Sequence, residues 1–324
     1  MATFTSHVDS IDCSRGQVAV SLSNLEGNIW DGGLSLFSDT GEVEQSVSFN
    51  VGAPIARFAG DGCVLVAGRD DGSVSLHAVS DLSKSEVIEA HSDSVSSISS
   101  SGTTIITAGW DGDINLWDLA SGKALQSIEC IEDAHHFPIT EVAVAPPSLG
   151  SLFASVGVDG FLRLWDSRSL HEGCVQIHNL GRSLSCVAWD PHSLFVGTDG
   201  GSVLRCDTRY LSDQRHEFYT STLPVHGARV RRLHVLPGAL LSVSDDGCLA
   251  LSTTTEWSDT DQPMEVRTRL PLHSDYITDL AVVRDHGDQS FSLFTASTDK
   301  TIRRTTYNPK GPTPFTPFSF TKHI

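Results

Sequence analysis

Sets of histidine, hydroxyl and carboxylate side chains recur along the sequence, and this combination can supply the general base, nucleophile and orienting acid of a hydrolase. In each set a Ser or Thr lies four residues before a turn Asp, and a His lies upstream. The hydroxyls are Thr107, Ser155, Ser242 and Thr295, and the histidines are His91, His135 or His136, His226 and His273. Catalysis needs one pocket with one perturbed group, whereas these residues repeat. We therefore interpret the sets as structural and predict no catalytic residue and no enzyme.

Other chemical signatures are missing from the sequence. It contains no Gly-x-x-x-x-Gly-Lys phosphate loop, no His-Glu-x-x-His metal motif and no Gly-x-Ser-x-Gly nucleophile motif. The cysteines number seven, and no two have the Cys-x-x-Cys spacing. This usage predicts no disulfide framework, no metal site and no cofactor, and it favours a reducing compartment, the cytoplasm or the nucleus.

Copies of a strand–turn–strand unit must position the recurring sets. The clearest copies are residues 107–118 and 155–166, each with an Asp-Gly turn between two apolar runs. One turn residue from each copy gives seven positions: 32, 72, 112, 160, 201, 247 and 300. A period of about 40 to 50 residues is typical of small sheets that bury their faces by stacking around an axis. The sequence therefore predicts an all-β fold, a single seven-bladed β-propeller over residues 1–324.

Closure of the ring needs an outer strand for the last blade. The N-terminal residues and the stretch after Thr305 are the two segments left for this strand. We expect it at Thr316–Lys322, within a Pro-rich C-terminal segment at about residues 308–324.

The recurring polar sets resemble the hydrogen-bond tetrad of WD-repeat propellers, in which a His, a strand hydroxyl, the turn Asp and a strand Trp link one blade. The tetrad residues would be His91, Thr107, Asp111 and Trp117 in one copy, and Ser155, Asp159 and Trp165 in the next. In other copies the Trp position holds His77, Cys206 or Ser252. Blades with an incomplete tetrad should depend more on packing.

Charge restricts the kind of partner. Lys and Arg total 22 against 40 Asp and Glu, a net charge of −18, which should repel nucleic acid and anionic membranes and attract basic proteins. The alternative is that the acidity only keeps the protein soluble. No apolar stretch is long enough to span a bilayer. One dense basic run, residues 229–232, is expected in a solvated loop or strand edge, with a nucleic-acid patch as the alternative.

The segment Ser21–Phe37 carries a more specific resemblance. Its Ser-Leu-Ser run, short loop, Trp and Leu-x-Leu-Phe strand resemble the first blade of methylosome WD-repeat subunits, the propeller partners of type II protein arginine methyltransferases. The resemblance implies a non-catalytic scaffold that binds the methyltransferase and helps present basic, Arg/Gly-rich substrates, such as histones and Sm proteins, for symmetric dimethylation. The alternative is another WD-repeat adaptor, such as a nucleoporin or a chromatin-reader propeller.

Within this segment, the resemblance assigns partner binding to Asn28, Ile29 and Trp30, and it aligns Trp30 with a tryptophan that inserts into the methyltransferase. The polar residues before Trp30 and the Asp31-Gly32-Gly33 run after it predict that the indole is exposed, in or beside a strand-connecting loop. The alternative is that Trp30 packs against its own blade.

Overall fold

Strand–turn–strand units build seven antiparallel sheets of four strands each. They were identified in a computed structural model that describes residues 7–26, 29–38, 40–120, 124–208, 219–254, 264–285, 289–311 and 314–323. The first three sheets contain β1 (His7–Ser14), β2 (Gln17–Glu26), β3 (Ile29–Ser38), β4 (Val43–Phe49); β5 (Ile55–Ala59), β6 (Val64–Gly68), β7 (Ser73–Ala78), β8 (Asp81–Glu89); and β9 (Val95–Ser101), β10 (Thr104–Gly109), β11 (Ile114–Ala120), β12 (Ala124–Ile131).

The other four sheets follow the same order along the chain. They contain β13 (Ile139–Val144), β14 (Leu152–Gly157), β15 (Phe161–Asp166), β16 (Gln176–Asn179); β17 (Leu184–Asp190), β18 (Ser193–Thr198), β19 (Ser202–Asp207), β20 (Tyr219–Pro224); β21 (Val230–Leu236), β22 (Ala239–Ser244), β23 (Cys248–Thr253), β24 (Glu265–Pro271); and β25 (Ile277–Arg284), β26 (Phe291–Ser297), β27 (Thr301–Tyr307), β28 (Phe315–His323). Each sheet is therefore one contiguous piece of chain, and we number these blades 1 to 7.

The first strand of each blade lies at the centre of the molecule. These strands contact one another in the order β1, β5, β9, β13, β17, β21, β25 and back to β1, which closes the ring. The predicted seven-bladed β-propeller is thus confirmed. Because all four strands of a blade run antiparallel, the turn between its second and third strands lies at the same end as the link to the next blade. We call this end of the ring the turn face.

Glycine fixes the turns of the middle blades for two reasons. At Gly112 the backbone has a φ of 87°, which glycine adopts without steric cost. A side chain there would also collide with the carbonyl oxygen of His135 in the link to blade 4. The turn residue therefore packs against the connection that follows it, which explains why the Asp-Gly pairs predicted these turns.

Blade 1 departs from the prediction. The turn expected at residue 32 is wrong, because Gly32 lies inside β3 and pairs with Ser23 and Phe49. A Cβ at Gly32 would lie 2.8 Å from the carbonyl oxygen of Val51 and 2.9 Å from the Cα of Gly52. Glycine is favoured here because the backbone of the link to blade 2 passes close to β3, and not because the chain reverses direction.

The hydrophobic core is divided among the junctions between blades. Seven buried clusters each join two neighbouring blades, because a four-stranded sheet presents two apolar faces that must both be covered. The cluster between blades 1 and 7 includes Val8, Ile11 and Val20 on one side and Phe294 and Ile302 on the other. Burial at each junction therefore holds the ring.

The C-terminal prediction for the last blade is confirmed, since β28 pairs with β27 as the fourth strand of blade 7. Blade 1 begins with its own inner strand β1, so within the described residues no strand is shared between blades 1 and 7. Side chains connect this junction instead. Asp279 Oδ2 accepts the Ile11 backbone N–H at 3.0 Å, and the Thr278 hydroxyl donates to the carbonyl oxygen of Val8 at 2.7 Å.

The basic run at residues 229–232 corrects a second expectation. Arg229 lies in the link before β21, as expected for a loop residue, but Arg231 and Arg232 lie on an inner strand, and all three guanidinium groups pair with carboxylates. Arg229 pairs with Asp199 at 3.2 Å and Arg231 with Asp245 at 2.6 Å. Arg232 pairs with Asp279 on the adjacent inner strand β25 at 2.7 Å, and also with Glu141 on β13, two blades away. Along the described stretches of the chain, no helix is long and apolar enough to cross a membrane.

Candidate functional site

The polar sets named from the sequence form hydrogen-bond networks within blades 3 and 4. His91 Nδ1 lies 3.2 Å from Asp111 and its Nε2 lies 2.9 Å from the Thr107 hydroxyl, which accepts the Trp117 Nε1–H at 3.0 Å. In blade 4 the histidine is His135 rather than His136. The equivalent distances are 3.0 Å to Asp159 and 2.7 Å to Ser155, and Trp165 donates to Ser155 at 2.9 Å.

The electrostatics of these networks follow from their hydrogen bonds. Burial alone would raise the pKa of Asp111, but hydrogen bonds from His91 and from the Asp113 backbone outweigh it and hold that pKa below its ordinary value. Burial lowers the pKa of His135, which favours the neutral ring despite the Asp159 carboxylate. Each hydroxyl lies between a histidine and a tryptophan and not at an open surface. This arrangement links a turn to its strands.

Blades 6 and 7 contain the network without the tryptophan. His226 connects Ser242 and Asp246, and His273 connects Thr295 and Asp299. The Trp position holds Ser252 in blade 6 and Thr305 in blade 7, and both hydroxyls are buried without a hydrogen-bond partner in the described residues. In blade 2 that position is His77, which bonds Ser75 and the Leu82 carbonyl, and in blade 5 it is the buried Cys206.

Metal ligands do not converge in the part of the chain that the structure describes, where no group of three or more His, Cys, Asp or Glu could hold an ion. The seven cysteines are all free thiols. Burial raises the pKa of Cys186 and of Cys206 to about 12, so neither is a thiolate at neutral pH.

Trp30 lies on an extension of blade 1. Strands β2 and β3 have ten residues each, whereas the second and third strands of the other blades have five to seven. Pairing with β1 ends at Ser23, and pairing with β4 ends at Gly32. Beyond these residues β2 and β3 pair only with each other, and Trp30 lies opposite Leu25. The indole is therefore carried on a two-stranded hairpin that projects from the turn face, beside the connection between β2 and β3.

The indole of Trp30 is 45% exposed, and it is oriented by the neighbouring blade. Its Nε1–H donates to Asp70 Oδ2 at 3.2 Å, and the other oxygen of Asp70 accepts the Ser94 hydroxyl at 2.9 Å. Gly52 leaves room for this contact, since a Cβ there would overlap Asp70 Oδ2 and lie 2.7 Å from Ser23 Oγ. An exposed aromatic ring held in one orientation has little entropy to lose on binding.

The other two residues assigned to partner binding are less fully defined. Ile29 is the first residue of β3 and pairs with Glu26, while Asn28 lies outside the described residues. Asp70 and Gly52 were missed by sequence reasoning, because they come from blade 2 and from its link to blade 1. No local pattern marks them as neighbours of Trp30.

Comparisons with known proteins agree with this architecture. Residues 82–118 and 126–166 match the family model "WD domain, G-beta repeat". The chain is 29% identical to the methylosome protein WDR77 of Xenopus laevis over 167 residues, which are 47% of this chain and 48% of that protein. It is 32% identical to guanine nucleotide-binding protein subunit beta-5b of Danio rerio over 111 residues, 32% of this chain and 27% of that protein. The matched region thus spans less than half of either relative.

Structural similarity extends further than sequence similarity. A chain in the crystal structure of the mitotic checkpoint complex superposes with a TM-score of 0.74 at 18% identity, covering 92% of this chain and 86% of that one, which is a likeness of fold alone. Repeats of this kind are typical of protein-interaction scaffolds. With two repeats matched by the family model and seven blades in one ring, the chain is a seven-bladed β-propeller of the WD-repeat type.

Proposed function

We propose that this propeller is a non-catalytic adaptor that binds a type II protein arginine methyltransferase through the hairpin carrying Trp30 and helps present Arg/Gly-rich substrates, including histones and Sm proteins. The observation that carries the proposal is the exposed Trp30, held by Asp70 on an extension of β2 and β3 that the described strands of the other blades lack. The similarity to a methylosome protein supports the class of partner. The complex would act in the cytoplasm and nucleus.

Trp30 is suited to anchor a partner because of the apolar surface that binding would bury. An exposed tryptophan offers a large apolar surface with few rotatable bonds, and such residues dominate protein interfaces. Its hydrogen bond to Asp70 can remain during binding, because it uses the pyrrole edge of the ring. The partner would supply an apolar pocket for the rest of the ring.

The negative charge of the chain favours basic substrates. A net charge of −18 raises the encounter rate with cationic protein segments and disfavours nucleic acid. The methyl donor and the reacting groups would belong to the methyltransferase. The His–hydroxyl–Asp networks are occupied with linking turns to strands, which supports a scaffold role.

The identity of the partner can be tested directly. Purification of the endogenous complex should recover a type II protein arginine methyltransferase in stoichiometric amount. Recovery of a nuclear-pore or chromatin complex in its place, without the methyltransferase, would replace this proposal with another adaptor role.

The role of Trp30 can be tested with the purified partner. Trp30→Ala should lower the affinity for the methyltransferase at least about tenfold, which corresponds to roughly 1.4 kcal/mol, with little change in the melting temperature. Trp30→Phe keeps the ring but loses the hydrogen bond to Asp70, so it should have an intermediate affinity. Trp110→Ala, a matched change of an exposed tryptophan in blade 3, should bind normally. A large loss of stability with unchanged affinity would mean that Trp30 only packs against the propeller.

A further inference from the structure

A second apolar surface lies on the turn face, on the blades that follow the Trp30 hairpin around the ring. Trp110, Phe137 and Val158 are 55%, 59% and 44% exposed. Trp110 belongs to the β10–β11 turn, Phe137 to the link between blades 3 and 4, and Val158 to the β14–β15 turn. We call these three residues the blade 3–4 strip.

Backbone contacts show that the blade 3–4 strip is continuous. The carbonyl oxygen of Phe137 lies 3.8 Å from the Cβ position of Gly112, two residues after Trp110. The next residue, Pro138, accepts the backbone N–H of Val158 at 3.1 Å. The three segments that carry these exposed side chains are therefore neighbours along one arc of the ring. Contiguous exposed apolar residues on a soluble protein commonly mark a binding surface.

Carboxylates border the blade 3–4 strip. Asp93 precedes Ser94, whose carbonyl oxygen accepts the Trp110 backbone N–H at 2.9 Å. Asp113 accepts the backbone N–H of Asp133 at 2.8 Å, which brings a second and a third carboxyl group beside the same turn. None of the three aspartates forms an ion pair within the described residues. Burial and the nearby Asp111 and Asp133 carboxylates raise the pKa of Asp113, as expected where negative charge accumulates.

We infer that the blade 3–4 strip binds an arginine-rich segment of a protein partner. A guanidinium group is planar and weakly hydrated, so it stacks on Trp and Phe rings while its N–H groups reach carboxylates. The exposed rings and the unpaired aspartates offer both interactions on one surface. The inference rests on the proposed function for the chemical class of the bound segment. It deepens that function by assigning substrate presentation to blades 3 and 4 and methyltransferase binding to blades 1 and 2.

The test uses the isolated full chain and a fluorescein-labelled Arg/Gly-repeat peptide, with fluorescence anisotropy as the readout. The double variant Trp110→Ala/Phe137→Ala should weaken peptide binding at least about tenfold. The double variant Asp93→Asn/Asp133→Asn should also weaken it, and it should flatten its dependence on salt. Asn tolerates the left-handed backbone at Asp133, where φ is 51°, so this variant should fold. Tyr276→Ala, an exposed aromatic on the turn face of blade 7, is the matched control and should bind normally.

A Lys/Gly-repeat peptide of equal charge separates stacking from simple attraction. It should bind several-fold more weakly than the Arg/Gly peptide, because an ammonium group does not stack as a guanidinium does. Equal binding of the two peptides, or peptide affinity unchanged in the Trp110→Ala/Phe137→Ala variant, would overturn the inference. So would a wild-type dimer that this variant converts to a monomer in sedimentation, since a second copy would then cover the strip.

Failure of the inference and failure of the proposed function give different results. If the methyltransferase does not depend on Trp30 but the peptide depends on the blade 3–4 strip, only the proposed function fails. If the methyltransferase depends on Trp30 but the peptide ignores the strip, only the inference fails.

Discussion

At the scale of single residues, the strand position that Trp117 occupies in blade 3 holds other residue types in other blades, and its hydrogen bonding differs accordingly. Trp117 and Trp165 fill it in blades 3 and 4 and donate to a strand hydroxyl. Thr305 fills it in blade 7, with a buried hydroxyl that has no partner in the described residues. A buried polar group without a hydrogen bond costs stability, whereas a satisfied one contributes modestly.

The same substitution should therefore act in opposite directions at two threonines. Thr107→Val removes the hydroxyl that bridges His91 Nε2 and the Trp117 indole N–H, and it should lower the free energy of unfolding by about 1–3 kcal/mol. Thr305→Val removes an unsatisfied hydroxyl and should leave stability unchanged or increased. Urea denaturation of both variants measures the difference. Equal destabilisation by the two would show that shape, not hydrogen bonding, sets the cost.

Asp9 gives blade 1 a dependence on pH. Burial raises its pKa to about 7 from 3.8, against the lowering effect of the Ser23 hydroxyl, and the Asp70 carboxylate raises it further. The protonated form is therefore favoured in the folded state, and its stabilising contribution is present at pH 4 and lost as pH rises toward 7. Asp9→Asn lacks this titration.

Comparison of the wild-type chain with Asp9→Asn isolates that contribution. Between pH 4 and 8 the wild-type chain should lose stability relative to the variant, by at most about 4 kcal/mol at roughly 1.4 kcal/mol for each pKa unit. Urea unfolding at several pH values provides the measurement. A stability difference that stays constant across this range would contradict a raised pKa in the folded chain.

At the scale of elements, the sequence predicted a blade correctly where its turn residue must be glycine both for its backbone conformation and for its packing. Gly112 needs both a positive φ and contact with the link to blade 4, so its Asp-Gly pair is a reliable marker. In blade 1 the same residue type has another role, inside a strand, and the prediction of the turn was wrong. The contact between Trp30 and Asp70 joins residues 40 positions apart in different blades, and no local pattern specifies it.

The close approach at Gly32 can be tested against Gly200, a glycine that has neither a positive φ nor a close neighbour. Gly32→Ala would place a methyl group against the backbone of Val51 and Gly52 in a buried ladder, so it should destabilise the chain by roughly 1–3 kcal/mol. Gly200 has only one atom near its Cβ position, at 4.0 Å, and Gly200→Ala should have little effect. Thermal unfolding compares the two. Similar melting temperatures would show that blade 1 can shift to accept the methyl group.

At the scale of the whole molecule, the charge of the surface follows from where the arginines lie. Arg57 and Arg232 are held at the centre of the ring by Asp279, and Arg229 and Arg231 each pair with a carboxylate. Of the 22 basic residues, these four already neutralise carboxylates of the propeller itself. The exposed Asp93 and Asp133 beside the blade 3–4 strip form no ion pair within the described residues, which is consistent with attraction of basic proteins.

The junction between blades 1 and 7 has a mechanical consequence. Every other pair of neighbouring blades is joined by a covalent link as well as by a buried cluster. In the described residues, blades 1 and 7 are held by a buried cluster and by hydrogen bonds that each involve a side chain. Tension applied between β1 and β28 would load those contacts and not a backbone ladder. We therefore expect the ring to open first between blades 1 and 7, leaving an arc of seven intact blades.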